Sequence, residues 1–317
     1  MRGIKTGLLS IALLLIIGQA GGALAYVISI NQFVEHTSLD EAVLGFKEQL
    51  AEMGLEVTYL EHNAQGSMST VLQIAHQMKD ERPDLILAVS TPSAQTTAQN
   101  ISDIPILFTA VTDPVSAGLV KTMDKPGANV TGTTDMNPIL EQVALIREIQ
   151  PHASKLGVIF NPGETNSVVQ VEILREAAKK HGFEIIEAPA PNPAAILQAA
   201  QSLVGQVEAI FLPTDNSVIA GMDTIVNIAL DQRIPIYPSE NNSVRKGGVA
   251  TLSINYYELG RLTGRMAARL LKGEAIPSET PVEALKKLAL VVNERFATAI
   301  SLVVAPSVME RAQIVFK

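Results

Sequence analysis

The chain has 317 residues, of which 47% are hydrophobic and 18% are charged, so we expect a substantial core and room for two domains of ordinary size. The formal net charge of −8 at pH 7 disfavours a nucleic-acid partner, because such a partner is held largely by Lys and Arg side chains that neutralise its phosphates. The chain contains no cysteine, which excludes disulfides, catalysis by a thiol and zinc–thiolate sites.

The N-terminal segment differs from the rest of the chain. Arg2 and Lys5 form a positive start, residues 8–17 are apolar, and Ala23-Leu24-Ala25 has the pattern of a cleavage site. This predicts a secretory signal peptide over residues 1–25. A retained membrane anchor is the alternative, although the apolar stretch is short for a span. No cysteine follows that could carry a lipid, so we expect a free protein outside the cytoplasmic membrane.

From Tyr26 onward, strand-like and helix-like segments alternate. Short apolar runs bounded by polar residues predict buried strands, and apolar residues at helical spacing predict helices. Thr37 or Ser38 is expected to cap the first helix. The first set comprises strands at 26–30, 55–60, 85–89, 104–110 and 129–133, and helices at 39–53, 67–79 and 94–100.

The same pattern then starts again. Its strands are predicted at 155–160, 184–188, 209–212, 234–237, 249–254 and 288–292, and its helices at 138–149, 193–204 and 256–271, with others ending near Lys180 and Asp231. Two successive β/α sets of similar length predict an α/β fold of two similar lobes with parallel sheets.

Polar segments follow the ends of the predicted strands in both lobes. In open α/β sheets, ligands bind outside the carboxyl ends of the strands. We therefore expect a cleft between the lobes, lined by small hydroxyl, amide and carboxylate groups from 31–36, 90–93, 112–113, 161–167, 214–216 and 239–242.

The corner after the third strand is the most informative of these segments. The apolar run 85–89 ends in Ser90-Thr91-Pro92-Ser93, and Pro92 fits the first turn of the next helix, where its missing N–H costs nothing. Free N–H groups and the helix dipole at such a corner attract an anion. Hydroxyls without Lys or Arg suit a single carboxylate better than a polyphosphate. The alternative is that Ser90 and Thr91 only cap their own helix.

Sequence signatures of catalysis are missing. The chain has no Gly-x-Ser-x-Gly elbow, no Walker loop and no Gly-x-Gly-x-x-Gly after its first strand. No pair among its five histidines stands at a metal-ligand spacing, and we interpret His36 as a surface residue, with ligand contact as the alternative. We therefore expect a protein that is not an enzyme and that needs neither metal nor cofactor. A hydrolase or transferase is the less favoured alternative.

Several segments, through their order and spacing, resemble one family. They are Glu35-His-Thr-Ser-Leu-Asp40, Ser90-Thr-Pro-Ser-Ala94, Val111-Thr-Asp-Pro114, Asn161-Pro-Gly-Glu-Thr-Asn-Ser167, Pro213-Thr-Asp-Asn216 and Glu258-Leu-Gly-Arg261. With them, residues 26–317 resemble the type I periplasmic substrate-binding proteins of ABC transporters. The resemblance is narrower to the bacterial family that contains tryptophan- and tyrosine-binding components. No single motif is specific for this family, whereas the order and spacing of all of them together are.

The resemblance implies two doubly wound lobes that close on a small ligand. The N-terminal lobe would comprise 26–135 and about 256–275, and the C-terminal lobe 136–255 and about 276–317, with hinge crossings near Thr134, Asn255 and Ile276. It further implies a monomeric periplasmic protein that delivers an aromatic or other apolar amino acid to a membrane-embedded ABC permease. A purine or sugar ligand, or a sensor that presents its ligand to a receptor, stays open as an alternative.

An amino-acid ligand needs donors for its carboxylate and an acid for its ammonium. We assign the carboxylate to Ser90, Thr91 and the backbone of Ser93, with Thr112 nearby. We assign the ammonium to Asp215, because a charge-assisted bond in a closed cleft is strong; its alternative role is to cap the following helix.

Other candidates are weaker. Asn161, Asn166 and Ser167 surround a turn at a helix start and are expected either to donate to the carboxylate or to cap that helix. Among the strand-end aromatics, Phe33 is the one most expected to touch the ligand because it lies in a loop. The remaining candidates are the acidic side chains Asp113, Glu164 and Glu240.

Overall fold

The computed structural model describes residues 25–317. The expected signal peptide therefore lies outside the described residues except for its last position. Within the described part of the chain, no helix combines the length and the apolar character needed to cross a bilayer.

The secondary structure follows the alternation expected from the sequence. The strands are β1 (Tyr26–Gln32), β2 (Val57–Asn63), β3 (Leu85–Val89), β4 (Ile106–Val111), β5 (Val130–Thr134), β6 (Lys155–Phe160), β7 (Glu184–Pro189), β8 (Ala209–Leu212), β9 (Ile236–Pro238), β10 (Ala250–Ser253), β11 (Glu283–Ala284), β12 (Ala289–Asn293) and β13 (Ile314–Phe316). The helices are α1 (Thr37–Glu52), α2 (Met68–Glu81), α3 (Thr91–Asn100), α4 (Ile139–Ile149), α5 (Thr165–Lys180), α6 (Ile196–Leu203), α7 (Asn216–Ala220), α8 (Met222–Gln232), α9 (Asn241–Gly247), α10 (Tyr256–Leu271), α11 (Glu294–Ala299) and α12 (Pro306–Arg311).

The first lobe is built on a six-stranded parallel sheet in the order β2-β1-β3-β4-β5-β11. Every residue of β3, β4 and β5 is buried, as expected for strands covered by helices on both faces. The second lobe has a four-stranded parallel sheet in the order β7-β6-β8-β9. The expected α/β fold of two parallel-sheet lobes is thereby confirmed.

A small third sheet was not expected. It runs β10-β12-β13, with β12 antiparallel to β10 and parallel to β13. Hydrophobic side chains of β10 and β12 belong to the core of the second lobe, so this sheet extends that lobe.

The last passage of the chain between the lobes comes later than the expected crossing near Ile276. β11 still pairs with β5 in the first lobe, and only β12 joins the second. Hydrogen bonds also hold the segment between Ile276 and β11 on the first lobe. For example, Thr131 Oγ1 donates to the Thr280 carbonyl at 2.7 Å, and the Val282 amide donates to the Met123 carbonyl at 2.7 Å. The passage therefore lies between Ala284 and Ala289.

Two local predictions were wrong. Neither Thr37 nor Ser38 caps α1, because the helix begins at Thr37, two positions before its expected start at Leu39. Its N-cap is His36, which makes no capping hydrogen bond through its side chain. The helix expected to end near Asp231 is divided into α7 and α8 at Gly221, where a Cβ atom would lie 2.4 Å from Ile196 Cδ1.

Helices α1 and α10 approach each other unusually closely in the first lobe. A Cβ atom on Gly260 would lie 1.9 Å from the Ala42 carbonyl oxygen, and one on Gly45 would lie 2.1 Å from the Tyr257 carbonyl oxygen. Backbone oxygens cannot move aside as side-chain ends can. These two glycines therefore permit the contact that returns α10 to the first lobe.

We expect Gly260→Ala to destabilise the protein by about 1–3 kcal/mol, the usual cost of overpacking, although alanine has the better helix propensity by about 1 kcal/mol. The free energy of unfolding in urea measures the change. Glu258→Gln, at an exposed position of the same helix, is the control and should change stability by less than about 0.5 kcal/mol. A Gly260→Ala protein as stable as the parent contradicts the close contact.

Candidate functional site

The carboxyl ends of the two parallel sheets face a largely enclosed cavity between the lobes. The space between its walls, including the part open to solvent, is about 300 Å³. The first lobe and the first crossing contribute His36, Leu39, Ala110, Thr112, Asp135 and Tyr256. The second lobe contributes Asn166, Thr214, Asp215, Asn216, Ile219 and Glu240.

An irregularity in β4 shapes one wall of this cavity. The pairing of β4 with β5 changes register between Phe108 and Val111, and Ala110 has a positive φ of 55°. Bulges of this kind redirect side chains and are common beside functional sites. Here the irregularity lies directly before Thr112, which reaches the cavity.

The cavity is acidic. It is lined by the carboxyl groups of Asp135, Asp215 and Glu240, and among the residues that the structure describes no Lys or Arg lines it. Burial is the main cause that raises the pKa of each of the three. A cationic group of a ligand would relieve the electrostatic cost of these buried acids.

Asp215 is held by a network within the second lobe. Its Oδ2 accepts hydrogen bonds from the Asn161 amide at 2.5 Å and from Ser167 Oγ at 2.7 Å, and its Oδ1 accepts from the Val218 amide at 2.9 Å. Burial, and next the neighbouring Glu164 carboxylate, raise the pKa of Asp215 to about 8. Asp215 thus combines the predicted place in the cleft with the alternative role as the cap of α7.

Glu164 lies behind the cavity and organises the same helix start. It accepts hydrogen bonds from the backbone amides of Asn216 and Ser217, both at 3.0 Å, and from their side chains at 2.6 Å. It is 2% exposed. Because these hydrogen bonds already satisfy its carboxylate, we interpret Glu164 as a residue that holds the cavity wall in place and does not contact the ligand.

Asp135 was not among the predicted site residues. It follows β5 at the first crossing and is 3% exposed. Its Oδ1 accepts a hydrogen bond from Thr112 Oγ1 at 2.9 Å, and its Oδ2 accepts one from the Tyr256 hydroxyl at 2.7 Å. Asp135 also fits the rule that polar residues after strand ends form the site. It was missed because β5 was expected to end at residue 133, so Asp135 did not directly follow the predicted strand.

Glu240 joins the two lobes. Its Oε2 accepts hydrogen bonds from Ser38 Oγ of the first lobe at 2.5 Å and from the Asn242 amide at 2.7 Å, and its Oε1 accepts from the Ser243 amide at 2.8 Å and from the Ser243 hydroxyl. Asn242 Nδ2 in turn donates to Glu41 Oε2 at 2.8 Å and to Ser38 Oγ at 3.1 Å. We name these contacts between Ser38, Glu41, Glu240 and Asn242 the α1–α9 clasp.

The predicted hydroxyl corner lies beside the cavity and does not line it. Ser90, with a positive φ of 80°, and Thr91 are both 1% exposed, and their hydroxyls have no hydrogen-bond partner among the described residues. Ser93 Oγ donates to Asn31 Oδ1 at 3.4 Å. A non-glycine residue at positive φ indicates local strain, which is often found at binding sites.

His36 also differs from its interpretation as a surface residue. It lines the cavity, and although part of the residue is exposed, its Nδ1 atom is buried without a hydrogen-bond partner in the described chain. Burial is the main cause that lowers the pKa of His36 to about 4, so the ring is neutral near pH 7. One feature of the sequence indicated that His36 could reach the cavity, namely its position in the loop between β1 and α1.

Two predicted site residues lie away from the cavity. Phe33 is 2% exposed and belongs to the hydrophobic core of the first lobe, because its loop folds inward. Asp113 holds its own turn by accepting from the amides of Val115 and Ser116 and from the Ser116 hydroxyl. Of the others, Thr112, Asn166, Asp215 and Glu240 line the cavity, whereas Asn161 and Ser167 hold Asp215 from behind.

A cavity between two hinged α/β lobes defines a class of proteins that capture small molecules. Residues 27–316 match the family of ABC transporter substrate binding proteins. The chain therefore belongs to this family, as the sequence resemblance implied. It is the substrate-binding component of an ABC transporter, which binds a small molecule and passes it to a membrane permease.

Two of the similar proteins indicate where the chain lies within the family. The tyrosine-binding protein of Clostridioides difficile (strain R20291) is 40% identical over 273 residues, which cover 84% of this chain and 78% of the relative. A Streptococcus pneumoniae domain crystallised in complex with L-Trp is 34% identical, with a TM-score of 0.89 over 92% of this chain and 100% of that one.

A third similar structure informs on the arrangement of the lobes. The ligand-free, open structure of a substrate-binding protein from Clostridium difficile is 38% identical and covers 92% of this chain and 100% of its own, yet its TM-score is only 0.69. In the present structure the two lobes touch across the cleft, for example through Thr112 Oγ1 and Thr214 Oγ1 at 3.3 Å, and we call this the closed arrangement.

We expect the α1–α9 clasp to stabilise the closed arrangement. Asn242→Ala removes two of its hydrogen bonds, each worth about 0.5–1.5 kcal/mol, and should shift the equilibrium towards the open form by roughly tenfold. Because the chain has no cysteine, a pair of introduced cysteines, one on each lobe, allows spin labelling and measurement of the distance between lobes. Asn100→Ala, at the end of α3 remote from the cleft, is the control. An unchanged distribution of distances in Asn242→Ala contradicts the role of the clasp.

Proposed function

We propose that this substrate-binding protein captures an aromatic L-amino acid. The observation that carries the proposal is the acidic cavity, lined by no Lys or Arg of residues 25–317, which suits the ammonium group of an amino acid. The similarity to a tyrosine-binding protein and to a domain in complex with L-Trp supports the same ligand class. A sugar or a purine base has no ammonium group to neutralise the three carboxyls.

The ammonium is assigned to Asp135, in place of Asp215. An ionised carboxylate has about four lone-pair sites. Glu240 already accepts four hydrogen bonds and Asp215 three, whereas Asp135 accepts only those from Thr112 and Tyr256 through its side chain. Asp135 therefore retains the largest capacity for a charged donor.

The carboxylate stays assigned to the hydroxyl corner. The unpartnered hydroxyls of Ser90 and Thr91 and the free amides in the first turn of α3 provide neutral donors at a positive helix end. Thr112 is withdrawn from this role, because its hydroxyl donates to Asp135. Apolar contact with the ligand ring falls to Leu39, Ala110 and Ile219, which line the cavity.

The remaining expectations complete the proposal. Residues 1–25 act as a cleavable signal peptide that directs the protein to the periplasm. The mature protein works there as a monomer without a lipid anchor. It passes its ligand to an ABC permease and catalyses no reaction. Its acidic net charge of −8 is consistent with a partner other than nucleic acid.

Calorimetric titration of the protein from Tyr26 onward tests both the ligand class and the ammonium assignment. We expect L-Trp or L-Tyr to bind, and Asp135→Asn to weaken that binding by about 10- to 100-fold, because a hydrogen bond to a charged group is worth about 1.5–3 kcal/mol. Asp113→Asn, an acid outside the cavity, is the matched control and should leave the affinity unchanged. Indole-3-propionate, which lacks the ammonium, should bind the parent and Asp135→Asn equally.

Three results would count against the proposal. Binding of a sugar or purine instead of any amino acid would contradict the ligand class. An unaltered affinity of Asp135→Asn for L-Trp would remove Asp135 from the site, and a loss confined to Asp215→Asn would return the ammonium to Asp215.

A further inference from the structure

The amide group of Asn166 has a fixed orientation at the cavity wall. Its Nδ2 donates to the Thr214 carbonyl at 2.8 Å and to Glu164 Oε2 at 3.2 Å. Both partners are pure acceptors, so only the NH2 group fits on that side. Both N–H groups of the Asn166 amide are thus occupied, which leaves none for a ligand carboxylate, the first of the two roles expected for Asn166; the second, capping α5, falls to Glu164 as N-cap.

The opposite atom of the same amide is an acceptor without a donor. Asn166 lines the cavity and is 2% exposed, and its Oδ1 has no hydrogen-bond partner among residues 25–317. A buried acceptor left in this state costs about 1–3 kcal/mol. A ligand that brings a donor to Asn166 Oδ1 recovers this cost, and a ligand without one does not.

The chemistry of the cavity restricts what that donor can be. A carboxylate is excluded, since two acceptors repel. The ammonium finds a stronger, charge-assisted partner at Asp135, which belongs to the first crossing, whereas Asn166 lies in the first turn of α5 in the second lobe. With the ammonium assigned to Asp135, the donor left for Asn166 Oδ1 is a neutral N–H or O–H of the ligand.

We propose that Asn166 Oδ1 accepts a hydrogen bond from the polar group of the ligand's aromatic side chain, the indole N–H of Trp or the phenol O–H of Tyr, and so discriminates against Phe. The inference rests on the proposed aromatic amino-acid ligand. Sites built to bond a substrate N–H or O–H reject the analogue that lacks it far more strongly than apolar pockets reject a missing methylene. Asn166 is on this basis a specificity-determining residue.

The test is a double-mutant cycle in which one change is made in the ligand. The ligand pairs are L-Trp with β-(3-benzothienyl)-L-alanine, in which sulfur replaces the indole N–H at similar shape, and L-Tyr with L-Phe. The protein pair is the parent and Asn166→Leu, with Asn166→Ala as a second variant should the first fold poorly. Asn100→Leu, at the remote end of α3, is the control for replacement of an asparagine.

In the parent and in Asn100→Leu we expect the analogue of at least one pair to bind about 10- to 100-fold more weakly. In the Asn166 variants this ratio should fall to below about threefold. The pair that shows the coupling identifies the polar group that is bonded.

Two outcomes would overturn the inference. Equal affinities within both pairs in the parent protein mean that the side-chain polar group is not bonded at all, and this result needs no variant. A ratio that persists in folded Asn166 variants assigns the bond to another residue. If neither L-Trp nor L-Tyr binds the parent while another ligand does, the proposed function itself fails, and this result is distinct from both.

Discussion

The cleft depends on the burial of carboxyl groups in a cavity that no Lys or Arg of the described residues lines. An ionised carboxylate removed from water loses several kcal/mol unless donors surround it. Backbone amides at helix starts provide these donors here: Glu164 accepts from Asn216 and Ser217, Asp215 from Val218, and Glu240 from Asn242 and Ser243. Those helices begin where the parallel strands end. The sheet topology therefore places the helix N-termini at the cavity, and their backbone amides allow the acidic side chains to be buried there. Asp135 is the exception, because hydroxyls of Thr112 and Tyr256 surround it and leave it able to take a further donor.

Sequence reasoning succeeded where the signal is local. The bounds of β3, β6, β8 and α10 match their predictions, because each is an apolar run or an amphipathic period with clear polar ends. The same reasoning placed the cavity at the strand ends and found Thr112, Asn166, Asp215 and Glu240. It missed the pairing of Asp135 with Tyr256, 121 positions apart, since only the passage of the chain between lobes brings them together. It also placed Phe33 at the ligand, because a loop position does not reveal whether the loop folds inward.

The direction of hydrogen bonds is a second feature that sequence reasoning does not predict. Residue types predict that amides and acids gather in a cleft, but whether an asparagine offers its N–H or its oxygen depends on its neighbours. Asn166 has its amide N–H groups committed to the Thr214 carbonyl and Glu164, so that it offers an acceptor to the cavity where a donor was one of its two expected roles. Asp215 has the right place but fewer free lone pairs than Asp135. A count of donors and acceptors on each side chain therefore changes the chemical assignment while the list of cavity residues stays nearly the same.

Delivery to a permease limits how stable the closed arrangement can be. The bonds of the α1–α9 clasp replace bonds to water, so they favour closure only modestly, and the ligand must supply the rest through its higher affinity for the closed form. In the proposed binding mode, the ligand joins Asp135 at the first crossing to Asn166 on the second lobe. A ligand that lacks the donor for Asn166 then loses affinity and also leaves the lobes more open. On this proposal, one hydrogen bond at Asn166 would serve both the selection among ligands and the closure that a permease can read.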